Sequence, residues 1–376
     1  MRTVGLFAGI GGFEVGLRRA GIDSELLCEY WDPAARVLRR RFNAEIVGDI
    51  RDLKSLPSVE VVTAGFPCTD LSQVGRMAGI DGNESRLVRE AFRLIDKTPP
   101  RWVVLENVPN MLSLGGGAAM SFIAEWFEER GWNWAYRTVD SQHFGLRQRR
   151  RRVFLVASRS EDPRAVLFSD EAGPPRPRDS HSAYGFYWTE GNKGVGWGAG
   201  VTPTLKGGSK LGIASPPAVW RVGQEVGEAI ARPSIEAGER LQGFRSGWTN
   251  DGAKQGVRWK MVGNAVSVPV SEWIGRGLIC PKSPVDVARR PLGPGGRWPS
   301  AAASLSGIRE AWDLSERPVD KSAPQSLTGL LDKYGVQPLS FGAANGFYTR
   351  LQASTLRVPD EFRDALAKHV QHVGAS

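Results

Sequence analysis

Cysteine is scarce: Cys28, Cys68 and Cys280 are the three in 376 residues, and none stands at metal-ligand spacing from another. The four histidines, His143, His181, His369 and His372, are too scattered to complete a zinc set. A disulfide framework and a structural metal are therefore not expected, and a reducing compartment fits, where a thiol stays free for chemistry. Also missing is an apolar run long enough to span a bilayer. The apolar start MRTVGLFAGIGGFEVGL is broken at Glu14 and lacks a small-residue cleavage pattern. Neither export nor a membrane anchor is expected, and the expected location is the cytoplasm. Internal repeats and low-complexity tracts are absent as well.

What is present is an ordinary globular balance, 41% hydrophobic and 24% charged, enough for at least one full core and two or three domains. The net charge of +9 favours a polyanionic partner. Its densest cluster, Arg147-Gln148-Arg149-Arg150-Arg151-Arg152, runs straight into the apolar Val153-Phe154-Leu155-Val156-Ala157. A charge run is usually a solvated face or tail; this one sits at the mouth of a buried strand, where arginines are held in place.

From residue 2 to about 158, short β-rich runs alternate with helical segments, the signature of an α/β sheet with crossover helices. The predicted strands are Thr3 to Phe7, Glu25 to Glu29, Glu60 to Phe66, Trp102 to Glu106, Trp134 to Val139 and Val153 to Ala157. Helices are predicted over Asp32 to Phe42 and Glu84 to Asp96. Ligands of such sheets lie beyond the carboxyl ends of the strands, and Glu29, Glu106, Phe7 to Gly12 and Pro67-Cys68 all fall there. Residues from about 159 to 230 read as a loop-rich insert, after which helical and strand character returns with Glu239-Arg240-Leu241 and with Trp259 to Ile274. A Pro/Gly/Arg linker is predicted over 279–300, and a C-terminal extension over 301–376 ends in an amphipathic helix around Glu361 to Val373.

The first strand opens into Phe7-Ala8-Gly9-Ile10-Gly11-Gly12-Phe13, where missing side chains let a cofactor approach the backbone. A dinucleotide fingerprint would need glycine at Glu14, and a phosphate loop would need Gly-Lys-Ser/Thr, so a nucleoside cofactor without a pyrophosphate remains. Glu29 is placed to accept hydrogen bonds from a ribose and Asp49 from an adenine amine, although either acid alone reads equally as a solvated loop residue. Cys68 stands just past a buried strand, behind a proline that stiffens the turn. A lone cysteine is more often a small buried hydrophobe, yet a thiol at that position can have its pKa lowered. Glu106 ends an apolar strand, where burial raises a carboxyl pKa and suits it to donate a proton; a helix or loop cap is the plainer reading. Arg150 and Arg152, two apart at a strand edge, would project to one face and grip one polar group together.

In order, Phe-Ala-Gly-x-Gly-Gly, Glu29, Gly-Asp-Ile, Gly-Phe-Pro-Cys, Glu-Asn-Val, Gln-Arg-Arg-Arg-Arg, Arg-Leu-Gln-Gly-Phe and Gly-Asn-Ala-Val resemble the cytosine-5 DNA methyltransferases over most of residues 2–275. The resemblance implies a Rossmann-like S-adenosylmethionine-dependent domain with a mixed, mostly parallel sheet over 1–158, completed by 255–278. A smaller irregular target-recognition region over 159–254 would read bases in the major groove. It further implies Cys68 as the nucleophile that adds to carbon 6 of cytosine, Glu106 as the acid at ring nitrogen 3, and Arg152, assisted by Arg150, at the base's carbonyl oxygen. Phe7, Gly9, Ile10, Glu29, Tyr30, Asp49, Ile50, Leu87, Asn264 and Ala265 would line the S-adenosylmethionine pocket. The partner is then double-stranded DNA, with the target base rotated out of the stack at a cost of about a few kcal/mol that phosphate contacts offset. A monomer is expected, and a restriction endonuclease sharing its recognition sequence is a possible indirect partner. Lys193, Lys206, Lys210 and Trp197 are candidate DNA contacts, though a lysine in a Gly-rich loop is more often only solubilising. The stretch from Ala231 to Arg240 departs from the family by lacking its Thr-Pro and carrying an extra residue. Two other readings share these motifs: a transfer-RNA cytosine-5 methyltransferase, and a DNA-binding homologue without turnover, against which the retained Cys68, Glu106, Arg150 and Arg152 argue.

Overall fold

A computed structural model describes residues 1–66, 85–173, 182–190, 194–207, 216–293, 295 and 297–375. The strands are β1 (Arg2–Leu6), β2 (Asp23–Cys28), β3 (Glu45–Val47), β4 (Val61–Ala64), β5 (Trp102–Asn107), β6 (Asn133–Asp140) and β7 (Arg151–Ser158). They continue with β8 (Ala183–Phe186), β9 (Gly198–Ala199), β10 (Ala218–Arg221), β11 (Ile230–Pro233), β12 (Arg289–Pro291), β13 (Ala301–Leu305), β14 (Ile308–Trp312) and β15 (Val336–Pro338). The α-helices of the first two-thirds are α1 (Gly12–Arg19), α2 (Asp32–Arg41), α3 (Ser85–Lys97), α4 (Ala118–Glu128), α5 (Arg164–Leu167), α6 (Ile235–Leu241) and α7 (Gln255–Asn264). Those of the remainder are α8 (Val268–Ile279), α9 (Leu327–Tyr334), α10 (Phe341–Gln352) and α11 (Asp360–Ala375).

The chain divides into two compact units. The first comprises Met1–His143, Arg151–Pro174 and Val266–Asp320. Its ten-stranded sheet runs β12-β14-β13-β6-β7-β5-β4-β1-β2-β3. From β3 to β5 every pairing is parallel; from β5 outward every pairing is antiparallel, so that only β7, β13 and β12 oppose the other seven strands. The mixed, mostly parallel α/β sheet expected from the sequence is thus present. Strands β4 and β5 are buried along their whole length, as continuous apolar runs covered on both faces must be. Helix α1 lies close against the start of α8, because a Cβ on Gly12 would sit 2.3 Å from the Val266 carbonyl oxygen and one on Gly16 2.5 Å from that of Val268. Ser271 Oγ donates to the Phe13 carbonyl at 2.7 Å across the same contact.

The second unit comprises Phe144–Arg150, Pro175–Ala265 and Lys321–Ser376. Its antiparallel sheet runs β15-β11-β10-β8-β9. Phe186, Trp220 and Ile230 from this sheet share one buried core with Phe347, Leu351, Phe362 and Leu366 from α10 and α11.

These boundaries differ from those read in the sequence. Arg289–Pro291, Ala301–Leu305 and Ile308–Trp312 are strands of the first sheet rather than parts of a linker and a C-terminal extension, because β13 pairs with β6 and removes an open edge. Residues 321–376 belong to the second unit, where β15 pairs with β11 and the two last helices cover the sheet. Helix α7, expected to complete the first domain, falls in the second unit, and α8 in the first. At the family departure, Ser234 caps α6 by accepting from Ala237 N at 3.0 Å, so the missing Thr-Pro leaves the helix start intact.

Candidate active site

The rim of the parallel strands gathers most of the expected residues of the first unit. Phe7 follows β1 with φ 57°, a left-handed conformation that is uncommon for a bulky side chain and costs of order 1–3 kcal/mol. Gly9 is also left-handed, and a Cβ there would meet nothing within 4 Å, which leaves open space above this turn. Its N–H donates to Glu29 Oε2 at 2.8 Å, while Glu29 Oε1 accepts from Trp31 N at 2.7 Å. Burial pushes the Glu29 carboxyl above its ordinary range, and the two backbone N–H groups oppose that rise. Tyr30 is 77% exposed, a large aromatic face standing free beside this acid. Ile10 and Ile50 are buried and Leu87 packs on the core, so these three are walls. The open room over Gly9, the buried acid and the bare tyrosine ring form a cradle suited to a nucleoside.

Asp49 behaves differently. It accepts from Arg51 N and Nε, both at 2.9 Å, and the Arg51 guanidinium holds its carboxyl below the usual range. The acid caps the short 3-10 turn Ile50–Asp52, so an adenine amine would compete with that arginine.

At the end of β5, Glu106 is buried and Arg152 Nε stands 3.0 Å from its Oε1. The sequence reading considered only the burial of this acid; the structure adds an opposite charge in contact with it. Asn107, which the sequence reading passed over, joins the ends of two strands: its Nδ2 donates to the Phe66 carbonyl at 3.1 Å and its Oδ1 accepts from Val108 N at 2.8 Å. Phe66 leads towards Cys68, which lies outside the described residues, as do Lys193 and Lys210. Cys28, at the end of β2, is no rival nucleophile, since burial and neighbouring acids push its thiol up to about 12.

Arg150 and Arg152 do not grip one group. Arg150 precedes β7 and is buried in the second unit, where Nη1 donates to Leu205 O at 3.0 Å and Nη2 to Ala265 O at 2.9 Å. It therefore braces backbone. Two further glutamines of the motifs complete this network: Gln148 Nε2 donates to Leu241 O at 3.0 Å and Gln242 Nε2 to Val262 O at 3.0 Å. Neither was singled out in the sequence, although both stand inside motifs that were. Asn264 ends α7 in this unit and is exposed; a Cβ on Gly207 would come within 1.9 Å of its Oδ1, so only glycine fits beside it. Trp197 stacks on Tyr184 with centroids 5.1 Å apart and meets Phe362 edge-on at 5.0 Å, so this partly buried ring packs against the core of the second unit. Lys206 is ion-paired with Glu190 and sits 3.8 Å over the Tyr187 ring.

Comparison with known proteins agrees with this geometry. Residues 1–182 match the family described as C-5 cytosine-specific DNA methylase. The type II methyltransferase M2.BsuMI of Bacillus subtilis (strain 168) is 43% identical over 98% of both chains. The type II methyltransferase M.NgoBI of Neisseria gonorrhoeae is 26% identical over 72% of this chain and 90% of its own. In fold, the chain resembles the Dnmt2 methyltransferase of S. pombe with a TM-score of 0.57 at 15% identity, over 74% of this chain and 98% of that one.

Proposed function

The chain belongs to the C-5 cytosine-specific DNA methylases, and we propose that it methylates carbon 5 of cytosine within one short sequence of duplex DNA, using S-adenosylmethionine. Glu106 carries this reading: a buried acid at the end of a central strand, in contact with Arg152 and tied through Asn107 to the strand that leads to Cys68. When bound, S-adenosylmethionine supplies an electrophilic methyl group. Glu29 would hold its ribose, Tyr30 would lie on its adenine, and Phe7 and Gly9 would leave room for it.

Carbon 5 of cytosine is too weak a nucleophile unaided. Cys68 would add as a thiolate to carbon 6 of a flipped-out base while Glu106 gives a hydrogen bond or proton to ring nitrogen 3, making carbon 5 enamine-like. Arg152 would hold both Glu106 and the base's carbonyl oxygen, and Arg150 would keep the adjoining backbone in place. Carbon 5 would then take the methyl group as the sulfonium–methyl bond breaks, a base would remove the carbon 5 proton, and the Cys68 thiolate would leave as the carbon 5–carbon 6 double bond re-forms, which regenerates the enzyme. The similarity to a type II methyltransferase over nearly the whole chain favours duplex DNA over transfer RNA. A monomeric cytoplasmic enzyme, paired through its recognition sequence with a restriction endonuclease, belongs to the same reading.

The test is expression in a host without cytosine-5 methylation, beside a Cys68→Ala control, with bisulfite-type sequencing of the genome. Methylated cytosines in one short context that disappear with Cys68→Ala, a loss on the order of 10⁴-fold or more, are the expected result. An unmethylated genome with soluble, folded wild-type protein would remove the proposal.

A further inference from the structure

The residues between 289 and 300 do more than close the first sheet. Within the first unit, a groove of about 440 Å³ is lined by Arg151, Arg290 and Arg297 together with Ser113, Thr138 and Ser300. The hydrogen-bond ladder fixes where it lies. Thr138 pairs with Val153, and Val153 with Asn107, the last residue of β5; on its other side Thr138 N donates to Ser300 O at 2.7 Å. The groove therefore lies at the same rim of the sheet as Glu106 and Arg152 but on the opposite face, since Arg151 and Thr138 project with Val153 and Asn107, and it runs outward past β6 and β13 to Arg290 on β12. Five strand spacings of about 4.8 Å make roughly 24 Å. At one phosphate per 3.4 Å of duplex axis on a single strand, that is about seven nucleotides.

The chemistry of the groove is that of a phosphate track. Arg151 leans on Glu316, but no carboxylate among the described residues pairs with Arg290 or Arg297, both of which are exposed. Ser113, Thr138 and Ser300 line the groove between the guanidinium groups, with the Ser113 hydroxyl donating to Asn110 O at 3.3 Å and that of Ser300 to Leu314 O at 3.5 Å, so each hydroxyl oxygen lines it as a small polar group. The floor is rigid: Trp298 is buried, and its Nε1 donates to the Gly117 carbonyl at 3.1 Å. Asp313 lines the adjoining depression, where Arg289 lies over the Trp312 ring at 5.4 Å. Stability alone gives no reason for two unpaired guanidinium groups to face one trough with three hydroxyl residues.

We infer that this groove holds the phosphodiester backbone of duplex DNA flanking the target cytosine, with Arg290 and Arg297 as its sequence-independent contacts. The inference rests on the DNA reading above, and its test separates the two. Binding of a duplex containing the methylation site is measured over a salt series for the wild type, the single variants Arg290→Gln and Arg297→Gln, and the double variant. Both side chains are exposed, so the variants are expected to fold. Loss of two phosphate contacts lowers the slope of log affinity against log salt by about 1.8 and weakens binding about 30-fold at about 0.15 M salt. Each single variant should give half the slope change, and KM for DNA should rise with kcat unchanged. An unchanged slope in the double variant, with wild-type methyl transfer intact, overturns the groove and leaves the activity standing. A full slope change in a wild type that transfers no methyl group keeps the groove and removes the enzymatic reading.

Discussion

The parallel half of the first sheet and the antiparallel sheet of the second unit are built on different principles. In the first, each strand is followed closely by the residue it serves: β1 by Phe7 and Gly9, β2 by Glu29, β5 by its own Glu106 and Asn107. Position there is set by local chain. In the second, strands of two to four residues are assembled from distant segments, with β11 paired to β15 about a hundred residues later and α10 and α11 closing the core. Position there is set by packing. A chemical site on the first kind of scaffold tolerates change elsewhere in the chain, whereas a surface on the second kind depends on residues far from it in sequence.

The comparison is tested most severely by Glu106→Gln. If the rim of the parallel half holds the chemistry, single-turnover methyl transfer should fall by about 10²- to 10⁴-fold, with cofactor binding retained. A loss under about tenfold would separate Glu106 from the proton chemistry. In the second unit the corresponding probe is Phe362→Ala. Phe362 is fully buried and meets Phe186 and Trp197, both with centroids 5.0 Å away, and Trp220 at 5.6 Å. Truncation should cost about 3–5 kcal/mol. Hydrogen exchange should show protection lost in β8 and β10 while β1, β4 and β5 keep theirs; equal loss in both sheets would mean that the second unit has no core of its own.

The same contrast explains what the sequence disclosed. The six strands predicted between residues 2 and 158 correspond to β1, β2, β4, β5, β6 and β7, and the two helices to α2 and α3, with no end displaced by more than two residues. Continuous apolar runs and three-four periodicity are local signals, so they survive in one dimension. The last helix, expected around Glu361 to Val373 and found as α11, shows such a signal in the second unit, but the strands of that unit do not. Strands such as Gly198–Ala199 are too short for an alternation to show, and the partner of Ile230–Pro233 comes from the far end of the chain. For the same reason the sequence offered Trp197 as a candidate DNA contact without showing the neighbours it packs on, Tyr184, Trp220 and Phe362. Arg150 illustrates a subtler limit. Alternation placed it beside Arg152, but the strand begins only at Arg151, and one residue earlier the side chain answers to the carbonyls of Leu205 and Ala265 instead.

The two regions should also answer pH in opposite directions. Glu14, in the first turn of α1, is fully buried; neither carboxyl oxygen has a hydrogen-bond partner among the described residues, and burial with the nearby Glu29 pushes its pKa up to about 8. The unfolded chain ionises this acid near 4.5 whereas the folded chain keeps the proton, so between 4.5 and about 8 the folded state binds more protons and stability falls as pH rises. The limiting slope for one such group is about 1.4 kcal/mol per pH unit. In the second unit, His369 is buried with Nε2 2.7 Å from the Leu339 carbonyl, and its pKa lies below the ordinary 6.5. Its unfolded form takes up a proton first, so its contribution is complete above 6.5 and is lost as pH falls below it. Glu14→Gln, which keeps the shape and removes the titration, should therefore flatten the decline in protection of β1 and β4 between about pH 5.5 and 7.5 and leave that of β8 and β10 unchanged. A wild-type first sheet whose protection free energy does not decline over that range would mean that Glu14 is ionised in the fold, held by a partner that a buried carboxylate would require.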